Sequence, residues 1–310
     1  MFDVIAIGEV LVELATDRPF AHGVPARLGV SGDALNVAAA AAAAGARTAL
    51  VAVLPDDEIG DAIAERVRAL GVSDVLLVRR PGQQGVYLVH GDPSGERQFA
   101  YARGGSVGST LSPGDLPLDQ IAAAGVVVAS GISGAISASA RAALTTAARH
   151  AARFAYDPNL RPRLTTTAAA AGLLDELLPD IWLVTPSHPL ETRELLGAAT
   201  ADAAAARLRE AGAEIVVVTC GADGVLLRVG ADAHRIASIP APAVVDQTGA
   251  GDAFLGTFVA RIARGDEVGR AAVRAAAAAS LAVSVRGGAD RVAALDEVDA
   301  HARTAAAWNG

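Results

Sequence analysis

The sequence predicts an α/β fold of three layers, in which helices cover both faces of a mostly parallel central sheet. Short apolar runs rich in β-branched residues alternate with alanine-rich helical stretches along most of the chain. The chain has 310 residues, of which 52% are hydrophobic, and it can therefore bury a substantial core. No linker-like stretch divides the sequence, so we expect one domain spanning residues 1–310.

Each element of this prediction is a local pattern. The apolar runs expected to form buried strands are residues 2–8, 47–53, 125–130, 154–157, 181–185 and 214–219. The helical stretches between them are residues 34–44, 57–70, 137–152 and 201–211. Beyond them, residues 249–285 are expected to form two helices that are divided near Arg264 and Gly265.

Two segments interrupt the alternation of strands and helices. Residues 10–30 and 86–103 contain strand-like pieces with no helix between them, so they predict a small discontinuous β appendage. Within the second segment, Asp92-Pro93-Ser94-Gly95 is a cluster suited to a hairpin turn. Such a hairpin can serve as a lid over a site, or it can be an edge hairpin that only packs against the body.

The composition excludes several classes of protein. A net charge of -8 lacks the dense basic face that nucleic-acid binding needs, so we expect small-molecule chemistry. The single cysteine, Cys220, cannot form an internal disulfide, and the N-terminal segment has no cationic region before its apolar run. Charged residues interrupt every long apolar stretch. We therefore expect a cytoplasmic protein that neither enters a membrane nor binds nucleic acid.

The chain contains no lysine, so all 26 of its basic residues are arginine. A Walker P-loop, a protein-kinase site and a Schiff-base enzyme each require a lysine side chain. These three mechanisms are excluded.

The most informative local pattern is Asp246-Gln247-Thr248-Gly249-Ala250-Gly251-Asp252-Ala253-Phe254, which leads into an amphipathic helix. Backbone N–H groups at such a helix start can hold a phosphoryl group. Asp252 would lie in the first turn, where we expect the helix start to keep it ionised and ready to accept a hydroxyl proton. The alternative is that Thr248 or Asp252 only caps the helix. A dinucleotide fingerprint fails because Phe254 stands where it needs its third glycine.

This motif resembles the C-terminal signature of the PfkB (ribokinase-like) carbohydrate kinases. Further matching segments follow the family's order: Ser31-Gly32-Asp33-Ala34-Leu35-Asn36, Asp57-x-x-Gly60 and Thr219-x-Gly221-x-x-Gly224. The resemblance extends from residue 4 to about residue 288. It implies a ribokinase-like fold, ATP and Mg as cofactors, and Asp252 as the catalytic base.

The resemblance also assigns roles around this base. The backbone of Gly249, Ala250 and Gly251 would stabilise the transferred phosphoryl group. The nucleotide-binding residues implied are Thr219, Gly221, Gly224, Gly249 and Gly251.

Within the family, several details are more similar to 2-keto-3-deoxygluconate kinases than to ribokinases or fructokinases. The substrate-binding residues that this implies are Gly32, Asp33, Asn36, Tyr87, Tyr101, Arg103, Ile132 and Arg161. Arginine and tyrosine suit the carboxylate of a sugar acid. The implied reaction is ATP-dependent phosphorylation of 2-keto-3-deoxygluconate to its 6-phosphate. A fructokinase or other sugar kinase of the family, and a non-catalytic sugar-binding protein on the same fold, remain alternatives.

The sequence departs from the family pattern at two places. Gln247 stands where serine or threonine is usual. The Asn-x-x-Glu motif keeps Glu191, which would act on Mg indirectly through water, but Ser187 or His188 replaces its asparagine. We assign His188 no metal role, because no second histidine or cysteine lies near it in the sequence. The oligomeric state stays open, with a homo-oligomer among the options.

Overall fold

A computed structural model of the chain describes residues 1–91 and 97–304. Its main sheet has eight strands in the order β14-β13-β12-β11-β10-β9-β1-β4. These strands are β1 (Val4–Ile7), β4 (Thr48–Val51), β9 (Val126–Ser130), β10 (Phe154–Asp157), β11 (Ile181–Val184), β12 (Ile215–Thr219), β13 (Val225–Val229) and β14 (Asp232–Ile236). Strands from β4 to β12 are parallel, and β13 and β14 extend the sheet in antiparallel pairs. The predicted mostly parallel sheet is confirmed.

Helices accompany this sheet on both faces. Their bounds are α1 (Asp33–Ala43), α2 (Glu58–Ala69), α3 (Leu118–Ala123), α4 (Gly131–Ala135), α5 (Ala138–His150), α6 (Thr167–Leu177), α7 (Leu190–Glu194), α8 (Ala201–Glu210), α9 (Ala250–Ala263), α10 (Val268–Ala282) and α11 (Leu295–Ala302). The α9 and α10 helices are divided at Arg264 and Gly265, as predicted.

The core is divided between the two faces because successive side chains of a strand point in opposite directions. On β1, Ile5 and Ile7 pack with residues of α5, α6 and α8. The alternate residue Val4 packs with α1, α9 and α10 on the other face. Both faces of the sheet are therefore buried, which gives the three-layer α/β/α arrangement.

A second sheet is built from the two segments that interrupt the sequence pattern. We call it the small sheet. Its strands are β2 (Leu11–Thr16), β3 (Arg27–Ser31), β7 (Val86–Gly91) and β8 (Arg97–Ala102), in the order β3-β2-β7-β8. The predicted turn at 92–95 lies outside the described residues. The action of this sheet as a lid stays a prediction.

Several elements had no counterpart in the sequence prediction. The edge strand β14 is mostly exposed and polar, so it lacks the apolar alternation by which strands are found. Strand β5 (Val53–Pro55) pairs with the short strand β6 (Val78–Arg80) in a separate two-stranded sheet. Within the described part of the chain, no helix is long and apolar enough to span a membrane.

Candidate active site

The turn before α9 has a backbone that only glycine accommodates. Gly249 has φ of 80°, and a Cβ built on it would lie 2.7 Å from Gly288 Cα. The N-cap residue of α9 is Gly249, which has no side chain to cap the helix. A capping role for Thr248 or Asp252 stays an alternative, and an anion site at the first-turn N–H groups of α9 stays a prediction.

Asp246 fixes the shape of this turn. Its side chain is buried and accepts hydrogen bonds from the backbone N–H of Thr248 at 2.7 Å and of Gly287 at 2.8 Å. The loop after α10 is thereby joined to the turn before α9. Asp246 therefore shapes the turn that is predicted to hold the phosphoryl group.

Asp252 lies in the first turn of α9 and is held by α1. Asn36 Nδ2 donates to Asp252 Oδ2 at 2.8 Å. Burial raises the pKa of Asp252 to about 7, and the nearby charge of Asp33 adds to the rise. The hydrogen bond from Asn36 and the charge of Arg161 oppose this rise in pKa. A pKa of about 7 places the titration of Asp252 at neutral pH, and the expectation that the helix start keeps it ionised stays a prediction.

A cavity in front of Asp252 gathers carboxylates from three elements. Asp33 at the start of α1 and Asp157 at the end of β10 line it together with Asp252. Ser130 Oγ donates a hydrogen bond to Asp33 Oδ2. Burial and the charges of Glu191 and Asp252 raise the pKa of Asp157 well above its usual range. The cavity therefore gathers three carboxyl groups, and burial favours the neutral form of two of them, Asp157 and Asp252.

Gly32 makes the close packing of this site achievable. It precedes α1 with φ of 142°, and a Cβ there would lie 2.6 Å from the carbonyl oxygen of Glu9. This glycine brings Asp33 and Asn36, on the first turn of α1, to Ser130 and Asp252 respectively.

The predicted nucleotide loop lies at the end of the parallel strands. Thr219 ends β12, and a short 3₁₀ turn, Gly221–Asp223, follows it. Gly224 has φ of 86°, and a Cβ there would lie 2.1 Å from the carbonyl oxygen of Ile236. In open α/β sheets, ligands bind beyond the carboxyl ends of the strands, and this loop occupies such a position.

Residues 1–294 match the family described as pfkB family carbohydrate kinase. This chain belongs to the pfkB family. A 2-dehydro-3-deoxygluconokinase of Thermoproteus tenax is 35% identical over 93% of this chain and 90% of its own length. A Fructokinase-2 of Solanum habrochaites is 29% identical over 84% of this chain and 81% of its own length. The crystal structure of a PfkB protein from Polaromonas sp. JS666 matches 99% of this chain and 100% of its own, with a TM-score of 0.86 and 26% identity.

In this pfkB family member, two further predicted sugar-binding side chains have acidic partners, as Asn36 has in Asp252. The hydroxyl of Tyr87 on β7 donates a hydrogen bond to the carboxylate of Glu13 on β2. Arg103, just beyond β8, forms an ion pair with Glu9, in which the side chains are 12% and 1% exposed. Glu9 therefore pairs with the positive charge of Arg103 within the protein.

The other predicted sugar-binding residues differ in exposure. Tyr101 is 44% exposed and stacks on Phe99. Arg161 is exposed, and its Nη1 donates a 3.2 Å hydrogen bond to the carbonyl of Leu160. Ile132 lies half-buried in α4. The roles of these residues in binding sugar stay predictions.

Glu191 holds two loops together. It is 3% exposed, and its two oxygens accept the backbone N–H of Leu160 at 2.6 Å and of Ser187 at 2.7 Å. No group of three or more acidic, histidine or cysteine side chains in the described part could hold a metal ion.

The segment before Glu191 is held by its own contacts. His188 Nδ1 lies 2.8 Å from Thr192 Oγ1, and the His188 N–H donates to the carbonyl of Thr219 at 2.8 Å. The second bond links this segment to the start of the nucleotide loop. The indirect action of Glu191 on magnesium stays a prediction.

Sequence reasoning gave no role to three acidic residues near the site, Glu9, Glu13 and Asp157, although the segment Asp157-x-Asn159-x-Arg161 is part of the family resemblance. Glu9 and Asp157 stand at or just beyond the carboxyl ends of β1 and β10. Acidic residues at that edge of a parallel sheet are a general signal of a binding site, and this signal was available. Glu13 gave no such signal, because its contact at the site is with Tyr87, which lies 74 positions away in the sequence.

Proposed function

We propose that the protein transfers the γ-phosphate of ATP to the 6-hydroxyl of 2-keto-3-deoxygluconate, which is the same compound as 2-dehydro-3-deoxygluconate. The observation that carries the chemistry is the position of Asp252. Its carboxylate lies in the first turn of α9, is oriented by Asn36 and lines a cavity with Asp33 and Asp157. An acceptor hydroxyl in that cavity would meet a base beside the N-terminus of α9.

The proposed reaction is a direct displacement at the γ-phosphorus of ATP. The substrate oxygen attacks the γ-phosphorus and forms an O–P bond, while the bond from phosphorus to the ADP oxygen breaks. The hydroxyl proton passes to Asp252. Bound magnesium would neutralise charge on the phosphate oxygens. The N–H groups of residues 249–251 would stabilise the phosphoryl group in flight, so positioning and electrostatics supply most of the rate.

The choice of a sugar acid rests on two kinds of support. The relative from Thermoproteus tenax carries the name of a kinase for this acid, and it spans nearly all of the chain. The charge of Arg161 opposes the rise in the pKa values of Asp157 and Asp252. An exposed guanidinium at that place can form a bidentate contact with a substrate carboxylate.

Fructose phosphorylation is the second candidate, and two observations favour it. Arg103, assigned to the carboxylate from sequence, is already neutralised by Glu9. The cavity carries three carboxylates, which favour a neutral sugar over an anion. The named fructokinase relative is consistent with this candidate, at lower identity.

The test is an ADP-release assay over a panel of sugars and sugar acids at saturating MgATP. We expect 2-keto-3-deoxygluconate to exceed fructose and ribose in kcat/KM, with the product shown by NMR to be the 6-phosphate. A preference for fructose would replace the assignment with the second candidate. ATP binding without turnover on the whole panel would favour a non-catalytic sugar-binding protein.

A further inference from the structure

Arg27 on β3 joins the small sheet to the body of the protein. Its Nη2 lies 2.5 Å from Asp290 Oδ2 and 3.5 Å from Glu13 Oε1. Glu13 belongs to β2 of the small sheet, whereas Asp290 belongs to the loop that follows α10. One guanidinium therefore lies between a carboxylate of the small sheet and a carboxylate of the body.

On the side of the small sheet, this bridge leads to a predicted sugar-binding residue. Glu13 Oε1 faces Arg27, and Glu13 Oε2 accepts the hydroxyl proton of Tyr87. The Glu13 side chain is 6% exposed, so its charge depends on these partners. A ligand that moves Tyr87 must also act on Glu13, and through it on Arg27.

On the side of the body, the bridge leads to the catalytic turn. We call residues 286–290 the coupling loop. Gly287 donates its N–H to Asp246, which shapes the turn before α9. A Cβ on Gly288 would lie 2.3 Å from Asn36 Nδ2, and one on Gly249 would lie 2.7 Å from Gly288 Cα. The coupling loop therefore packs against both the anion site and the amide that orients Asp252.

A parallel set of contacts holds the coupling loop to its neighbours. Arg286 forms an ion pair with Asp17, which follows β2 in the small sheet. Arg66 on α2 donates from Nη2 to the carbonyl of Ala289 at 2.6 Å. The first of these is exposed on both sides, so screening by salt weakens it more than the bridge at Arg27.

We propose that Arg27 is a positioning residue that couples sugar binding at the small sheet to the nucleotide site at the start of α9. Sugar contact at Tyr87 stabilises Glu13 and Arg27, and Arg27 holds the coupling loop against Gly249 and Asn36. The nucleotide then meets a preformed anion site. Binding of either substrate strengthens binding of the other, because such a coupling is reciprocal. The proposal rests on the proposed function in assigning the sugar to the small sheet.

The test measures the dissociation constant of a non-hydrolysable ATP analogue with magnesium, by calorimetry, with and without the best acceptor of the sugar panel. In the wild type, we expect sugar to tighten nucleotide binding by at least about fivefold, the lower end of typical coupling. In Arg27→Ala the factor should fall to nearly one. Arg27→Lys should retain part of it, because an ammonium can still bridge the two carboxylates.

Arg141→Ala is the matched control. Arg141 pairs with Glu176 at 2.6 Å on the surface of α5 and α6, away from the small sheet. This variant should keep the wild-type coupling factor. Full coupling in Arg27→Ala, or an equal loss in Arg141→Ala, would overturn the proposal.

A second measurement does not depend on the sugar. Hydrogen exchange of the Gly287 amide in the substrate-free protein should be faster in Arg27→Ala than in the wild type and unchanged in Arg141→Ala. Unchanged exchange in Arg27→Ala would overturn the proposal whichever sugar is the acceptor. If the sugar panel shows a preference for another sugar, only the substrate assignment fails. The coupling is then measured with that preferred sugar.

Discussion

Protonation of Asp252 should lower the activity of the kinase as pH falls below about neutral. The group must be ionised to accept the hydroxyl proton, and burial raises its pKa to about 7. One unit below that value, about a tenth of the sites would be ionised. We therefore expect kcat/KM for the sugar to fall about tenfold per unit of pH below about 6.5, and to level off above about 7.5.

Two substitutions should move this profile in opposite directions. Asp33→Asn removes a negative charge that raises the pKa of Asp252, so the midpoint should move to lower pH. Asn36→Ala removes a hydrogen bond that lowers it, so the midpoint should move to higher pH. Each shift should be roughly a unit or less.

The assay is ADP release from pH 5 to 9 at saturating MgATP, with the midpoint as the readout. Both variants will also lose activity if Asp33 and Asn36 contact sugar, but that loss changes the height of the profile and not its midpoint. A wild-type midpoint below pH 5, or two shifts in the same direction, would refute the assignment of the limiting group to Asp252.

Three further predictions follow from the same site. Asp252→Asn should raise the Tm by several degrees at pH 8 and by little at pH 4, as measured by calorimetry at both pH values. The reason is that the raised pKa of Asp252 destabilises the folded wild type progressively as pH rises from 3.8 through about 7. Gly249→Ala should lower stability by about 1–3 kcal/mol, since its Cβ would meet Gly288, whereas Gly251→Ala, with open space around it, should keep the wild-type Tm. Arg161→Ala should lower kcat/KM by roughly tenfold or more for the sugar acid and little for fructose; an equal loss for both would remove Arg161 from carboxylate recognition.

The fold was predictable because its signals are local. Apolar runs such as the one that forms β12 are continuous in sequence, and both faces of the sheet are buried, so the runs needed no alternation. The Gly249 turn was predictable for a related reason, since its small residues and the helix that follows are adjacent in the chain. Strand β14 was missed because it is exposed and polar at the edge of the sheet.

The electrostatics of the site depend on contacts between residues far apart in sequence. Asn36 and Asp252 are separated by 216 positions, and only packing of α1 against α9 brings them to 2.8 Å. The raised pKa of Asp252 needs the burial and the neighbouring Asp33 that this packing creates. The pairing of Arg103 with Glu9 is likewise long-range, over 94 positions. The sequence therefore did not reveal that a carboxylate of the protein itself pairs with Arg103.

The most direct test of the account is a comparison of Asp252→Asn with the wild type in nucleotide binding and in turnover. The variant keeps the size and shape of the side chain but cannot accept the proton. We predict that the dissociation constant for MgATP stays within about twofold, while kcat for the best acceptor falls by roughly two to four orders of magnitude. Full turnover in Asp252→Asn, with ATP bound as tightly as before, would contradict the account and leave residues 249–251 as a phosphate site without this base.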